Sequence, residues 1–465
     1  MVTMSIFDSI YQNIAQRVVD QLSSRLMGEE NRHIVTARRY RLGAHPAQLR
    51  VGPQQFDDNL VMNFAGLVVA RGVSQLIGRG VSFDFEGEDV TEQELYCKAV
   101  WDANKQEILL HRAALGASEA GTGYLFILPD GVIGADGKLY PRLTALDPAF
   151  VTIEHLPEDY EMVIRYIIQY KFSDGEREKA RRRVIEHNAP EVLEDGTQTG
   201  GNTWSIIDSE SDANGKWTEV GRSEWPYDFP PIVHWQNLPA IGTPYGESDI
   251  PYDVLRLQDR INYSASNLSK IVRLFAHPMR YGKMIGQGDS IQAGPDRMPA
   301  FSNPDAEIVQ LPPVGDLAAA LEVFRSQRQA FFDITRTVDI DSMADKLGAL
   351  TNFGLRVLYQ DNLAKIATKR ELMGDALEET NRRLQVLAGM EPVPCVTVWP
   401  DFLPENELEN AQQDQILNGL QVKSRQTIAE ERGLNWESEQ ARLANEQAQG
   451  DNVGAAILRA FEQGR

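Results

Sequence analysis

An α+β chain is what this sequence predicts, on three observations: helical periodicity at its start, a block of short β-rich runs from Gly123 to Trp235, and long amphipathic helices beyond Gly246. Its 465 residues hold two to four modules at roughly 100–200 residues each. Hydrophobic residues at 42% and charged residues at 24% are ordinary globular usage and exclude a disordered, collagenous or disulfide-built chain. Cys97 and Cys395, the only cysteines, lie too far apart in sequence for a disulfide framework or a zinc module and fit a reducing compartment. No apolar run approaches the ~18–20 residues that cross a bilayer. The first residues run straight into an amphipathic stretch, Ile6 to Leu26, so neither secretion nor membrane insertion is expected.

Asp8 to Leu26 reads as a helix, with Ile10, Ile14, Val18 and Leu22 on one face, and Asp58 to Ile77 and Glu92 to Glu119 read the same way. After Gly123 come strand candidates at Tyr124–Leu128, Phe150–Ile153, Val163–Ile168, Trp204–Ile207 and Ile232–Trp235. Turn signals such as Pro129-Asp-Gly131 and Ala135-Asp-Gly137 separate some of them, as in a mainly antiparallel sheet.

At Gly246 the pattern changes again. Ser248 or Asp249 can cap a helix, Pro251 suits its first turn, and Pro278 limits it. Ile250, Val254, Leu257, Ile261, Ala265, Leu268, Val272 and Phe275 make one apolar stripe on a helix of ~26 residues, or ~40 Å. The opposite face, with Asp253, Arg256, Asp259, Arg260, Asn262, Ser266, Asn267, Lys270 and Arg273, is expected to meet solvent or polar neighbours. Pro278 to Val314 is rich in Gly and Pro, with strand candidates at Met279–Ile285 and Glu307–Leu311. A second helix from Asp316 to Val338 repeats the spacing through Leu317, Leu321, Phe324, Phe331 and Val338, so two similar helices flank one small insertion.

Asp339 to Gly348 reads as an exposed acidic loop, and proline-free Thr351 to Leu387 as the longest helix, ~55 Å, with Gly354 and Gly374 as places to bend. A strand from Val393 to Trp399 precedes short polar helices at Glu405–Gly419, Ser424–Arg432 and Trp436–Gln449, where Thr427 with Glu430 matches a capping box. The tail from Gly450 has few core-forming residues.

Catalytic signatures are missing: no phosphate loop, metal-binding H-E-x-x-H helix, nucleophile elbow or dinucleotide fingerprint occurs, and the seven histidines show no ligand spacing. Asp208-x-Glu-x-Asp212-x-Asn214-Gly215 begins like a calcium loop. It has Gly221 where the closing Glu belongs, and reads instead as a tight hairpin turn. Lys171, Arg177, Lys179, Arg181, Arg182 and Arg183 form the one dense basic patch. It is expected as a solvated strand edge or an ion-paired contact between subunits, with a nucleic-acid contact as the alternative. A net charge of −21 argues against gripping nucleic acid over a broad basic face and suits a surface past which a polyanion slides.

Several short stretches in a fixed order resemble the portal proteins of tailed bacteriophages, in the group represented by the portal of the Bacillus phage SPP1. They are Gly121-Thr-Gly-Tyr124 with Leu143-Thr-Ala-Leu-Asp-Pro148, then Pro244-Tyr-Gly-Glu-Ser-Asp-Ile250 leading into Leu257-Gln-Asp-Arg-Ile-Asn262. Val398-Trp-Pro-Asp401 with Pro404-Glu-Asn406 closes the series. The resemblance implies a structural, non-enzymatic ring, usually of twelve subunits, at one capsid vertex in the virion, assembled in the host bacterial cytoplasm. Double-stranded DNA would be packaged and ejected through it, and no cofactor, metal or membrane is implied. Implied partners are the large terminase, the major capsid and scaffolding proteins and a head-completion adaptor. A channel-less adaptor or scaffold of the phage head, or a head-associated enzyme, is the alternative.

By order along the chain, the resemblance implies a portal-like fold. Residues 1–245 form a wing with an antiparallel sheet plus helices, and 246–277 and 316–338 two stem helices flanking a small β-containing clip at 278–315. Residues 339–350 form a tunnel loop, 351–404 a long tunnel helix and return strand, and 405–465 a short helical crown and tail. The expected channel residues are Asp339, Ile340, Asp341, Ser342, Met343, Asp345 and Lys346. The expected docking residues of the clip are Gly286, Gln287, Asp289, Gln292, Asp296 and Arg297.

Overall fold

A computed structural model describes residues 31–52, 56–78, 80–87, 90–174, 177–189, 191–192, 198–199, 201–212, 215–276, 280–284, 303, 305, 307–310, 317–339, 352–400, 414–420 and 422–431, with Gln16, Trp436 and Gln440 as single positions. They fall into two units, Met1–Pro400 and Asp401–Arg465. The class is α+β with antiparallel sheets, as expected. The helix expected over Asp8 to Leu26 lies outside the described residues apart from Gln16.

Four helices open the described chain: α1 (Arg32–Arg41), α2 (Phe64–Ile77), α3 (Thr91–Ala103) and α4 (Gln106–Ala120), with strand β1 (Ser82–Phe85) between the second and third. Two depart from expectation. The helix expected from Asp58 starts only at Phe64, where the Asn63 side chain caps it by accepting from Gly66 N. The helix expected across Glu92 to Glu119 is broken at Asn104 and Lys105, the latter at φ 54°. Asn104 explains the break: its side chain donates to Val100 O and Pro141 O and accepts from Leu143 N, so it staples the end of α3 to the next sheet.

Strand β2 (Thr122–Ile133) separates two apolar cores, because successive side chains point to opposite faces. Leu125 and Ile127 join the helices in the larger core, and Tyr124 and Phe126 join Val151, Ile153, Tyr166, Ile185, Trp204 and Ile232 in the other. β2 pairs with β3 (Leu139–Ala145) and, on its other side, with a strand near residue 234. The expected turn at Pro129-Asp-Gly131 is instead a bulge inside β2, with the register shifting between Leu128 and Val132. A Cβ on Gly131 would stand 2.8 Å from Arg142 Cβ, so only glycine passes there.

β4 (Val151–His155), β5 (Val163–Asp174), β6 (Arg177–Asn188), the short ladder β7 (Glu191–Val192) with β8 (Gln198–Thr199), β9 (Thr203–Ser211), β10 (Trp217–Trp225) and β11 (Ile232–Gln236) follow. The larger sheet runs β10-β9-β6-β5-β4, and β11 is the strand beside β2. This order corrects the reading of the basic patch as a strand edge. Arg181, Arg182 and Arg183 lie on β6, the middle strand, and find their partners within the chain. The Arg183 guanidinium forks onto Asp208 at 2.7 and 2.8 Å, and Arg182 stacks over Trp217 with 4.4 Å to the ring centre. Asp208 belonged to the calcium-like stretch, which forms the expected hairpin turn: Gly215 N donates to Asp212 O at φ 79°.

The remaining elements are α5 (Tyr252–Ala276), β12 (Arg280–Lys283), β13 (Glu307–Gln310), α6 (Leu317–Ile334), α7 (Asn352–Leu387) and β14 (Cys395–Val398), the last pairing with β1. α7 is unbroken over 36 residues, about 54 Å, and buries Ile366, Met373, Leu377 and Leu384 as its stripe predicts. In the second unit, residues 414–419 are helical and α8 spans Arg425–Glu431. Its cap is Ser424, whose Oγ accepts from Thr427 N at 3.1 Å, so the expected cap at Thr427 lies a turn inside the helix.

Candidate functional site

α5 and α6 lie side by side with the antiparallel pair β12 and β13 between them in sequence, the arrangement expected of two helices flanking a β-containing insertion. Near its start α5 buries Val254, Ile261 and Ala265, and α6 closes the seam with Phe331 and Phe332. Ser264 Oγ donates to Gln327 Oε1 across it. Toward the insertion the apolar side chains are uncovered: Val272 is 51% exposed, Val323 53%, and Leu317 and Leu321 37% each. Among the described residues, none covers these side chains at the far half of the hairpin.

The polar face of α5 meets polar neighbours of an unexpected kind. Gln258, Asn262 and Ser266, one turn apart, are fully buried and take the backbone of residues 60–65: Ala65 N donates to Gln258 Oε1, Met62 N to Asn262 Oδ1, and Leu60 N to Ser266 Oγ. Arg273 forks onto Asp58 and holds its carboxyl below the usual range. This strap keeps residues 58–63 out of a helix despite their helical periodicity.

At the start of α5, Asp249 does not cap the helix. Its carboxylate is 1% exposed and lies between two lysines of α7, Lys365 Nζ at 2.9 Å from Oδ1 and Lys369 Nζ at 2.5 Å from Oδ2. Burial opposes the Asp249 charge, yet the two ammoniums hold its carboxyl well below the ordinary value, while burial lowers the Lys369 ammonium. α6 stops at Ile334 rather than Val338, because Thr335 Oγ1 turns back to Phe331 O and Arg336 takes φ 52°.

Of the expected channel residues, Asp339 alone is described, and it is not an open acid: Arg328 Nη2 donates to its carboxylate at 2.6 Å. Ile340, Asp341, Ser342, Met343, Asp345 and Lys346 lie outside the described residues, as do Gly286, Gln287, Asp289, Gln292, Asp296 and Arg297 of the insertion. Sequence reasoning missed Lys365 and Lys369, which sit four apart beside the apolar stripe of α7. A lysine pair at that spacing on a helix that is buried on most sides is the signal that was available.

A cleft of about 810 Å³ opens where β5, β6, β9 and β11 meet α7. On its wall Tyr166 Oη lies 2.8 Å from His234 Nδ1, and burial, with the charge of Arg383, lowers His234 to about 4. Arg383 spends its guanidinium on Glu379 and on the carbonyls of Pro230 and Ile232. Among the described residues no group of three or more His, Cys, Asp or Glu is arranged to hold a metal ion, and no helix is long and apolar enough to cross a membrane.

Of the stretches that carried the resemblance, those at Gly121 and Gly246 touch, while 401 and 404–406 lie outside the described residues. A Cβ on Gly121 would stand 2.0 Å from Gly246 O, and one on Gly246 would stand 2.5 Å from Gly121 O, so two distant glycines let the end of α4 touch the approach to α5. Asp147 takes a fork from Arg38, and Gln258 and Asn262 hold the strap. The family model for phage portal protein, SPP1 Gp6-like, matches residues 17–452. The chain belongs to this portal family. It is a structural component of the phage head-to-tail connector, at the capsid vertex of the virion. Among solved structures, a chain of the virion of the native gene transfer agent particle is 12% identical, covering 92% of this chain and 99% of that one at a TM-score of 0.48. A chain in the neck of the empty gene transfer agent particle, computed with C6 symmetry, is 13% identical over 88% and 95% at 0.48. No curated protein matches.

Proposed function

We propose that this portal-family chain closes head to tail into a ring of twelve copies through which double-stranded DNA is packaged and ejected. The uncovered apolar half of the α5–α6 hairpin carries the reading: Val272, Leu317, Leu321 and Val323 offer an apolar surface to a neighbour, and a heterologous contact repeated by a rotation that closes makes a ring. In this reading residues 1–245 are the wing, held among the major capsid and scaffolding proteins. α5 and α6 are the stem, and 278–315 the clip that docks first the large terminase and later the head-completion adaptor. Residues 339–350 are the tunnel loop, 351–404 the tunnel helix and return strand, and 405–465 the crown. The motor's ATPase is a separate protein, and assembly takes place in the host cytoplasm. Native mass measurement is expected to give a species near twelve protomers of 52.1 kDa, visible as rings by negative stain. A strictly monomeric species at micromolar concentration and moderate salt overturns the proposal.

The pairing of Asp339 with Arg328 leaves Asp341 and Asp345, opposed by Lys346, as the acids of the tunnel loop that would repel passing phosphates. Asp341→Lys with Asp345→Lys would turn a low-friction passage into a salt-dependent trap, since each phosphate contact adds to the salt slope of binding. Assembled rings carrying both changes are expected to package more slowly at low salt and to recover as salt rises. Wild-type packaging at low salt removes the loop from the DNA path.

A further inference from the structure

The five residues that leave α6 are held at nearly every step. Thr335 O accepts from Lys365 Nζ at 3.1 Å, Arg336 O from Asn362 Nδ2 at 3.0 Å, Val338 O from Arg71 Nη1 at 3.0 Å, and Asp339 from Arg328. Arg336 lies at φ 52°, a conformation a side chain with a Cβ rarely takes, so these contacts impose the bend. An ordinary surface turn would leave such carbonyls to water.

Lys365 has a second duty. The ammonium that holds Thr335 O also lies 2.9 Å from Asp249, three residues ahead of the first residue of α5, and Lys369 one turn further along α7 takes the other oxygen. The three side chains are 8%, 1% and 1% exposed. One carboxylate cannot balance two buried ammoniums. Partial negative charge is added by Thr335 O, one residue past the end of α6 at the negative pole of that helix's dipole. Asp249 N is meanwhile fixed to Ser118 O, which ties the cluster to α4.

We propose that Asp249, Lys365 and Lys369 form a buried charge joint that couples the start of α5 to the end of α6, with Lys365 as the positioning residue. Pulling residues 335–339 away strips Lys365 of its carbonyl, leaves two ammoniums on one carboxylate and loosens the approach to α5. The reverse motion acts in the same way. The two helix ends therefore shift together through α7 without repacking the seam between them. The coupling belongs to the single chain, and only its use in a channel rests on the ring reading.

Amide hydrogen exchange on the full chain, read in peptides covering 335–339 and 250–256, tests the joint. Lys365→Met is expected to speed exchange about tenfold in both peptides, Lys365→Arg to restore most of the protection, and Asn362→Ala to affect 335–339 alone. Loosening of 335–339 by Lys365→Met while 250–256 keeps wild-type protection, or no change in either, overturns the coupling. Should Lys365→Met fail to fold, Asp249→Asn with Lys369→Met removes one charge of each sign and touches no partner of 335–339. That segment must still lose protection, and wild-type exchange there refutes the proposal. Ring formation, scored by mass in the same samples, reports separately on the ring reading.

Discussion

Asp249→Asn is expected to cost about 3–5 kcal/mol of stability, the penalty for leaving a buried charge without its counterpart. Lys365 and Lys369 would keep their ammoniums, 8% and 1% exposed, with an amide in place of the carboxylate. The Lys369 ammonium is already lowered by burial, and without Asp249 it falls further. A lysine whose folded value is depressed binds fewer protons folded than unfolded, so the variant should regain stability as pH rises. Denaturant unfolding at one fixed protomer concentration, at pH 7 and pH 9, reads both effects, since assembly makes apparent stability depend on concentration. Replacing all three residues by apolar ones of similar volume should be close to neutral, because the desolvation cost disappears with the charges. A loss under about 1 kcal/mol for Asp249→Asn would mean that water reaches the lysines and that the site is not a dry ion cluster.

What the sequence made legible follows from local periodicity. The strands at 124–128, 151–153, 163–168, 204–207 and 232–235 appear where β-branched and aromatic residues cluster, and α5, α6 and α7 where apolar residues recur every three to four positions. The misses share one cause, a side chain from a distant element taking over a local preference. Residues 58–63 have helical spacing, but Asn262 and Ser266 of α5 offer their backbone better partners. Asn104 breaks a helix whose periodicity runs through it, because Pro141 and Leu143 are within reach. Asp249 has the position of a cap and the neighbours of an ion cluster. The lateral order that puts β6 in the middle of its sheet is likewise absent from the order of strands along the chain.

Charge was the other partial reading. A chain of net −21 with a basic run at 181–183 invited an intermolecular role for that run, yet Asp208 and Trp217 already take Arg183 and Arg182. Asp339 is likewise paired within the chain, with Arg328. Counting charges in a sequence overstates what a surface presents, because the pairs that cancel within the chain become visible only once the strands and helices are in place.

Acid should weaken the protein well above the range in which its carboxylates titrate, and His234 is the reason. Burial, with help from the charge of Arg383, lowers its imidazole from 6.5 to about 4. Neutral Nδ1 pairs with the Tyr166 hydroxyl, whose proton burial retains. A histidine lowered in the folded state is protonated first in the unfolded chain, so its contribution is complete above pH 6.5 and is lost as pH falls toward 4. A shift of that size is worth about 3 kcal/mol at most. His45, also lowered by burial and placed against Asn262 of the strap, adds to the same slope. The salt-bridged acids Asp58, Asp208 and Asp249 are held below the usual carboxylate range, so they weaken the fold only at lower pH. His234→Gln keeps a neutral hydrogen-bonding group beside Tyr166, able to donate or accept, and removes the titration. Unfolding midpoints measured from pH 7 to pH 4.5 should therefore fall less steeply for the variant than for the wild type. Equal slopes would place the acid sensitivity elsewhere and leave His234 accessible to protons in the folded chain.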